Sequence, residues 1–158
     1  MDHSDKVNDL KGRFKIITSK NGEVIRETPY YNNIVVDGTN TGYNLILKRL
    51  YGDNTWSLNI KYLEIGTGST TPAITDTALV SASARVLYAT KEITSGSVKF
   101  RFFLPNGELP DGTYRELGLY VDGTATIDTG KMFTRALLGA DYTKDTNEDT
   151  TIEYEIFK

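Results

Sequence analysis

The sequence contains no cysteine and a single histidine, His3, among its 158 residues. Without cysteine the chain has no disulfide framework, no thiolate nucleophile, no iron–sulfur cluster and no cysteine-containing zinc finger. One histidine near the start cannot build a multi-histidine metal site, and it leaves little basis for a histidine-based catalytic triad. We therefore expect no cofactor, no metal and no enzymatic activity.

The chain also lacks a basic excess, since its net charge is −3 and its isoelectric point is about 5.2. An acidic average argues against a phosphate-binding surface, so we expect no nucleic-acid partner. No run approaches the roughly 18 apolar residues of a membrane span. The first residues lack the basic-then-apolar pattern of a signal peptide. We expect a soluble chain that is made in the cytoplasm and has no membrane partner.

What the sequence does contain is strand-forming residues: β-branched and aromatic types fill 58 of the 158 positions. Apolar and polar residues alternate in short segments separated by Gly, Asn, Asp and Pro, which is typical of antiparallel sheets. The turn Asn21-Gly22 favours a hairpin between the first two segments. The predicted strands cover residues 13–19, 23–27, 33–37, 58–65, 85–93, 98–104, 114–121, 131–138 and 150–157.

One helix is predicted between about residues 40 and 51. Asn40 or Thr41 can cap its start, and Gly52 stands where a left-handed C-terminal residue belongs. Apolar residues recur at the helical spacing and form one face, namely Tyr43, Ile46, Leu47 and Leu50.

Together these segments predict an all-β fold, an antiparallel β-sandwich or jelly-roll-like domain with one short α-helix; a barrel is the alternative. Residues 1–11 are predicted to be a flexible N-terminal segment, and residues 12–158 a single β-sandwich domain. The polar stretch from Gly66 to about Ser83 is long enough to predict a flap or an interaction loop.

Two motifs resemble ligand loops without completing them. Gly66-Thr67-Gly68 follows a predicted strand as a phosphate loop would, but no helix begins there, so a tight turn is the better interpretation. The segment 145–149 begins like a calcium loop, but Thr150 replaces the required glycine. A solvated acidic turn is favoured there over a calcium site shared with Asp141.

Two charged residues stand in apolar strand segments. Glu116 lies in Tyr114-Arg115-Glu116-Leu117, and Arg135 has an equivalent place in the next predicted strand. A buried charge is costly unless it is paired, and consecutive strands are usually neighbours. We therefore predict an ion pair between Glu116 and Arg135 that fixes strand register.

Three aromatic residues near predicted turns are less well explained by core packing: Tyr30, Tyr31 and Trp56. Aromatic rings stack on sugar faces and are enriched at protein interfaces. These residues are the predicted contact candidates.

The order of several short motifs is similar to that of a known group of proteins. The motifs include Gly22-Glu23-Val24-Ile25, Ile60-Lys61-Tyr62-Leu63-Glu64-Ile65-Gly66, Arg115-Glu116-Leu117-Gly118-Leu119-Tyr120, Met132-Phe133-Thr134-Arg135-Ala136 and Ile152-Glu153-Tyr154-Glu155-Ile156-Phe157. Over roughly residues 12–158 this series resembles virion structural proteins of tailed bacteriophages, from the tail fibre, collar and baseplate-associated group. The resemblance carries over no catalytic residue.

The resemblance implies a non-enzymatic virion structural protein, a tail, collar, baseplate or fibre-attachment subunit made in the host bacterial cytoplasm. Its expected partners are copies of itself, in a ring or trimer, and other virion proteins. The alternative functions are a host-receptor or carbohydrate-binding module of a fibre tip, with a host surface glycan as partner, and a capsid decoration protein.

Overall fold

The computed structural model describes residues 9–158, which form nine β-strands and one α-helix. Of the segment predicted to be flexible, residues 1–8, including His3, lie outside the described residues, whereas Lys11 already begins the first strand. The elements are β1 (Lys11–Lys20), β2 (Glu23–Glu27), β3 (Tyr31–Val35), α1 (Gly42–Tyr51), β4 (Ile60–Gly66), β5 (Ala82–Ile93), β6 (Ser97–Leu104), β7 (Gly112–Val121), β8 (Lys131–Lys144) and β9 (Asp149–Phe157).

Eight of these strands close into an antiparallel β-barrel in the order β1-β3-β8-β7-β4-β5-β6-β9. The circle closes because β9 pairs with β1 along its length, from Lys11 opposite Phe157 to Ser19 opposite Asp149. The ninth strand, β2, lies outside the circle and pairs with the end of β1. The predicted β-sandwich or jelly roll is therefore wrong, and the fold is the barrel alternative.

Two strands, β5 and β3, change pairing partner along their length, and this lets the sheet close. The first half of β5 pairs with β4 and the second half with β6, with a register shift between Tyr88 and Thr90. Likewise β3 pairs with β1 through its first residues and with β8 through Ile34 and Val35. A bulge bends a strand and increases its twist, which allows a sheet to close on itself. The inward and outward alternation is the same in a sandwich and a barrel.

The barrel interior is filled by side chains. Phe14 stacks on Tyr154 with ring centroids 5.5 Å apart, and Phe102 and Leu117 are fully buried beside them. The loop after β6 inserts Leu109 into this core with no exposed surface. That loop closes the end of the barrel at which β6 ends. No helix among residues 9–158 is long and apolar enough to cross a membrane.

The helix α1 forms where it was predicted and ends at Gly52, whose φ of +96° is the expected left-handed conformation. Its packing differs from the prediction, because Leu45 is the large side chain that the barrel buries. Leu47 and Leu50 of the predicted apolar face are exposed instead. The helix therefore presents part of its apolar face to solvent.

Candidate functional site

The long loop between β4 and β5, residues 67–81, lies against the outer wall of the barrel. A second apolar cluster fills the space beneath it, with Val36, Leu79, Tyr120 and Met132 all buried. Hydrogen bonds between this loop and charged side chains of β7 and β8 hold it there. The predicted flap is thus fastened to the wall of the barrel.

Glu116 of β7 carries most of these bonds. Its Oε1 accepts the backbone N–H groups of Gly68, at 3.0 Å, and Ser81, at 2.7 Å. Its Oε2 accepts Val80 N at 3.1 Å and Arg135 Nη2 at 3.0 Å. Both ends of the loop are therefore bonded to one carboxylate that has no exposed surface.

Arg135 of β8 holds the middle of the same loop. Its Nη1 donates to Asp76 Oδ2, and its Nη2 donates to Thr70 O at 3.0 Å. Burial alone lowers the pKa of Arg135, but the hydrogen bonds to Asp76 and Glu116 outweigh that effect and raise the pKa above its ordinary value. The guanidinium stays charged and links the loop to β8.

The structure places the two predicted partners on neighbouring strands and in contact, but diagonally. The residue opposite Arg135 is Gly118, and the residue opposite Glu116 is Leu137. The sequence indicated the pair through its apolar neighbours. It gave no sign that the pair would fasten a loop as well as join two strands.

The glycines of the Gly66-Thr67-Gly68 motif have a packing role here. A Cβ on Gly68 would overlap Glu116 Oε1 and lie 2.7 Å from the Val80 Cβ. A Cβ on Gly66 would lie 2.9 Å from the same carboxylate oxygen. The motif therefore lets the loop backbone approach the Glu116 carboxylate, and the Gly68 amide donates a hydrogen bond to it.

A second buried ion pair, between Glu64 of β4 and Arg85 of β5, was not predicted. Arg85 Nη1 donates to Glu64 Oε1 at 2.6 Å, and the guanidinium also donates to the carbonyl oxygens of Thr124 and Thr129. Burial, reinforced by the negative charge of Glu64, raises the pKa of the adjacent Tyr120 above its ordinary value. The signal in the sequence was the one used for Glu116, a charge between apolar neighbours in a strand.

Lys144 and Glu148 also hold loops to strands, at the closed end of the barrel. Lys144 Nζ donates to Asp111 Oδ1 at 2.6 Å and to Asn106 Oδ1 at 2.7 Å, so it joins the loop after β6 to the end of β8. Glu148 accepts two hydrogen bonds from the Arg26 guanidinium, at 2.9 and 2.6 Å. The loop between β6 and β7 and the turn between β8 and β9 are therefore each held by a charged side chain.

These contacts also occupy the acidic turn that begins like a calcium loop. Glu148 is bonded to Arg26, Asp149 Oδ1 accepts Asn106 N at 2.9 Å, and Asp141 pairs with Arg115 at 3.0 Å. Within residues 9–158 no group of three or more His, Asp or Glu side chains is placed to hold a metal ion.

The three aromatic contact candidates lie in different surroundings. Tyr30 is half exposed, with the Arg13 guanidinium 4.6 Å from its ring centroid. Tyr31 is partly buried against the core, its ring 5.8 Å from that of Phe14. Trp56 is also partly buried. Of the three, Tyr30 exposes the most ring surface.

The exposed side of α1 is the candidate functional site that the structure adds. Leu47, Leu50 and Tyr51 are 62%, 79% and 91% exposed, and Ile74 of the fastened loop lines one groove together with Leu47. We call these four residues the α1 surface. Single exposed apolar residues are ordinary, but a group of large ones is typical of an interaction site.

The two ends of the α1 surface differ in charge. Asp9 and Asp37 line the groove beside Tyr43, in the first turn of the helix, and burial together with these charges raises the pKa of Tyr43. Lys48 and Arg49 lie in the last turn. With Lys11 also in the groove and Asp53 paired with Lys48, the first-turn end has a net negative charge and the last-turn end a net positive one.

Comparisons with known proteins gave no match: no family model, no curated protein and no solved structure is similar to the chain. None of the buried charges described above lines the groove beside α1. What the arrangement can do chemically is to hold the loops rigidly and to expose the α1 surface.

Proposed function

We propose that the chain is a non-enzymatic structural subunit that assembles with copies of itself through the α1 surface. The observation that carries the proposal is the exposure of Leu47, Leu50 and Tyr51 on a helix whose other side is packed on a rigid barrel. Burying a Leu side chain contributes about 1.5–3 kcal/mol. Two such residues and a tyrosine supply an apolar centre for the proposed contact.

The charges at the two ends of α1 support contact with a second copy. If two copies pack their helices antiparallel, Lys48 and Arg49 of one copy approach Asp9 and Asp37 of the other. Opposite charges then meet at both ends of the contact, and complementary charge favours this register over the parallel one.

Light scattering after size-exclusion chromatography tests the self-association. We expect the wild-type chain to have a mass that is a multiple of 17.6 kDa. The variant Leu47→Glu/Leu50→Glu should be monomeric, because it buries two carboxylates in the contact. Val24→Glu, which changes an equally exposed apolar residue of β2, is the matched control and should keep the wild-type mass. A wild-type monomer at high concentration, or a double variant with unchanged mass, would contradict the proposal.

The setting that we propose is a bacteriophage particle, with this chain in the tail, collar, baseplate or fibre attachment. Its support is the motif series over residues 12–158, together with a rigid barrel whose loops are fastened by buried charges. An antibody against the purified chain should label one region of intact particles in electron micrographs. Particles that lack the chain altogether would exclude this setting.

A further inference from the structure

The end of the barrel opposite Leu109 holds an open pocket of about 400 Å³. It forms because β4 and β5 separate there. Their pairing stops at Tyr62 opposite Leu87, whereas β5 continues to Ile93 paired with β6 alone. Side chains from the barrel interior therefore reach solvent through this opening.

The walls of the pocket are mainly apolar. They include Leu58, Ile60, Ile93, Val98, Phe133 and Ile156. A volume of about 400 Å³ lies within the range of small-molecule pockets, which are commonly apolar and often lie in the mouths of β-barrels. The pocket is therefore large enough for a small hydrocarbon chain.

Two lysines, Lys158 and Lys91, line this apolar pocket, and of the two Lys91 lies within a strand. It lies opposite Phe100 in the β5–β6 pairing, on the side of the strands that faces the barrel interior. Its Nζ lies 3.9 Å from the Tyr88 ring centroid and donates to Asn59 Oδ1 at 2.5 Å. Burial, together with the nearby charge of Lys61, lowers the pKa of Lys91.

Lys91 is exposed, unlike the three buried cations of the barrel, and it also differs from them in its partners. Arg85, Arg135 and Lys144 each hold a carboxylate within 3.0 Å. Lys91 forms no ion pair with any residue of the described part of the chain, and no Asp or Glu side chain lines its pocket. A partly desolvated ammonium group without a carboxylate partner can bind the anionic group of a ligand.

We propose that this end of the barrel binds a small amphipathic carboxylate. Its hydrocarbon part lies among Ile60, Val98 and Phe133, and its carboxylate accepts a hydrogen bond from Lys91 Nζ. The site shares no residue with the α1 surface, so it is independent of the proposed assembly.

Three ligands share one hydrocarbon chain and differ in head-group charge, so they distinguish the contribution of charge to binding from that of apolar contact. They are decanoate, decanol and decyltrimethylammonium. Isothermal titration calorimetry of the full-length chain should give the tightest binding for decanoate. A hydrogen bond to a charged group favours it over decanol by roughly tenfold or more in affinity. The cation should bind most weakly, because it meets the charge of Lys91.

A pair of lysine variants tests the proposed role of the ammonium. Lys91→Met keeps the apolar stem and removes the charge, so it should abolish the preference for decanoate over decanol. Lys20→Met, at the exposed last residue of β1, should leave that preference intact. Lys91 is exposed enough that its replacement leaves the barrel folded.

A pair of tryptophan variants tests the location. Val98→Trp fills the pocket and should abolish binding of decanoate and decanol, whereas Lys99→Trp places the same ring on the outer face and should not. Circular dichroism confirms that each variant is folded. The proposal is overturned if decanoate does not bind, if Lys91→Met keeps the preference for it, or if Val98→Trp binds like the wild type.

Discussion

Arg135 Nη2 donates a hydrogen bond of 3.0 Å to Glu116 Oε2, and neither side chain is more than 1% exposed. The pair lies on the outer wall of the barrel, beneath the loop of residues 67–81. The same two groups accept or donate four more hydrogen bonds to that loop's backbone, at Gly68, Thr70, Val80 and Ser81. A buried ion pair on the barrel wall thus determines where the longest loop lies.

We predict that Glu116→Gln destabilises the protein by about 3–5 kcal/mol. Removing one partner of a buried pair is strongly destabilising, and here it leaves the buried Arg135 with the part-exposed Asp76 as its remaining carboxylate. The amides of Gly68 and Ser81 also lose their charged acceptor. Urea unfolding measures the loss, and hydrogen exchange at Ser81 should become faster, because the loop is released first.

The pair Arg115–Asp141 is the matched control, because it joins the same two strands at the surface. Arg115→Gln should cost no more than about 1 kcal/mol. Equal losses for Glu116→Gln and Arg115→Gln would mean that burial does not determine the strength of the first pair.

We predict that Gly68→Ala destabilises the protein by about 1–3 kcal/mol, the range for overpacking a buried site. The added Cβ meets the Glu116 carboxylate and the Val80 side chain, and neither can retreat without losing a contact. Gly107→Ala is the control, since a Cβ there meets nothing within 4 Å. Thermal unfolding of the two variants compares them, and a Gly68→Ala protein as stable as Gly107→Ala would refute the packing role of the motif.

We predict a larger loss for Gly42→Ala than for Gly52→Ala, although both glycines have positive φ. A Cβ on Gly42 would overlap the Val36 carbonyl oxygen, which accepts the Tyr43 amide at 3.0 Å. Nothing lies within 4 Å of a Cβ on Gly52, so only backbone strain of about 1–2 kcal/mol remains. Circular dichroism melts measure both variants, and the reverse order would contradict this account.

We predict that the contribution of Glu148 to stability depends on pH. Hydrogen bonds from Arg26 lower the pKa of Glu148 in the folded state, and the bond from Asp145 N adds to this effect. In the unfolded chain the pKa of Glu148 has its ordinary value of about 4.3, so the unfolded chain binds a proton at this residue before the folded protein does as the pH falls. The stabilisation is therefore complete above that value and disappears as the pH falls through the lower, folded pKa.

Glu148→Gln should accordingly lower the free energy of unfolding at pH 7 much more than at pH 3, measured by urea titration. Arg26→Gln should show the same trend, because it removes the group that lowers the pKa. A difference between wild type and Glu148→Gln that is constant over this range would rule out the linkage.

Much of the fold was predictable because it depends on local periodicity. All nine strands overlap their predicted segments, although β3 begins two residues earlier and β8 continues six residues further than predicted. The hairpin at Asn21-Gly22 forms with φ values of +52° and +80°, and the helix ends at Gly52. The alternate residues Phe100 and Phe102 of β6 are both buried, which is typical of a strand with one face toward the core. These features need only neighbours in the sequence.

Part of the candidate site was also predictable. An apolar setting in two consecutive strands indicated the contact between Glu116 and Arg135, and the same signal was present at Glu64 and Arg85. The α1 surface was missed, since the helical spacing of Leu47 and Leu50 gives an apolar face without saying whether the barrel covers it.

The sequence by itself determined where strands, turns and helix occur and which strand residues point inward, because these depend on backbone preferences and side-chain spacing. Only the tertiary structure decided that β9 pairs with β1 to close a barrel, since pairing of distant strands leaves no local pattern. It also decided that the charged residues lie beneath loops, that Lys91 faces an apolar opening, and that Leu50 remains exposed. Each of these depends on which distant segments meet in space, and the alternation of apolar and polar residues does not show this.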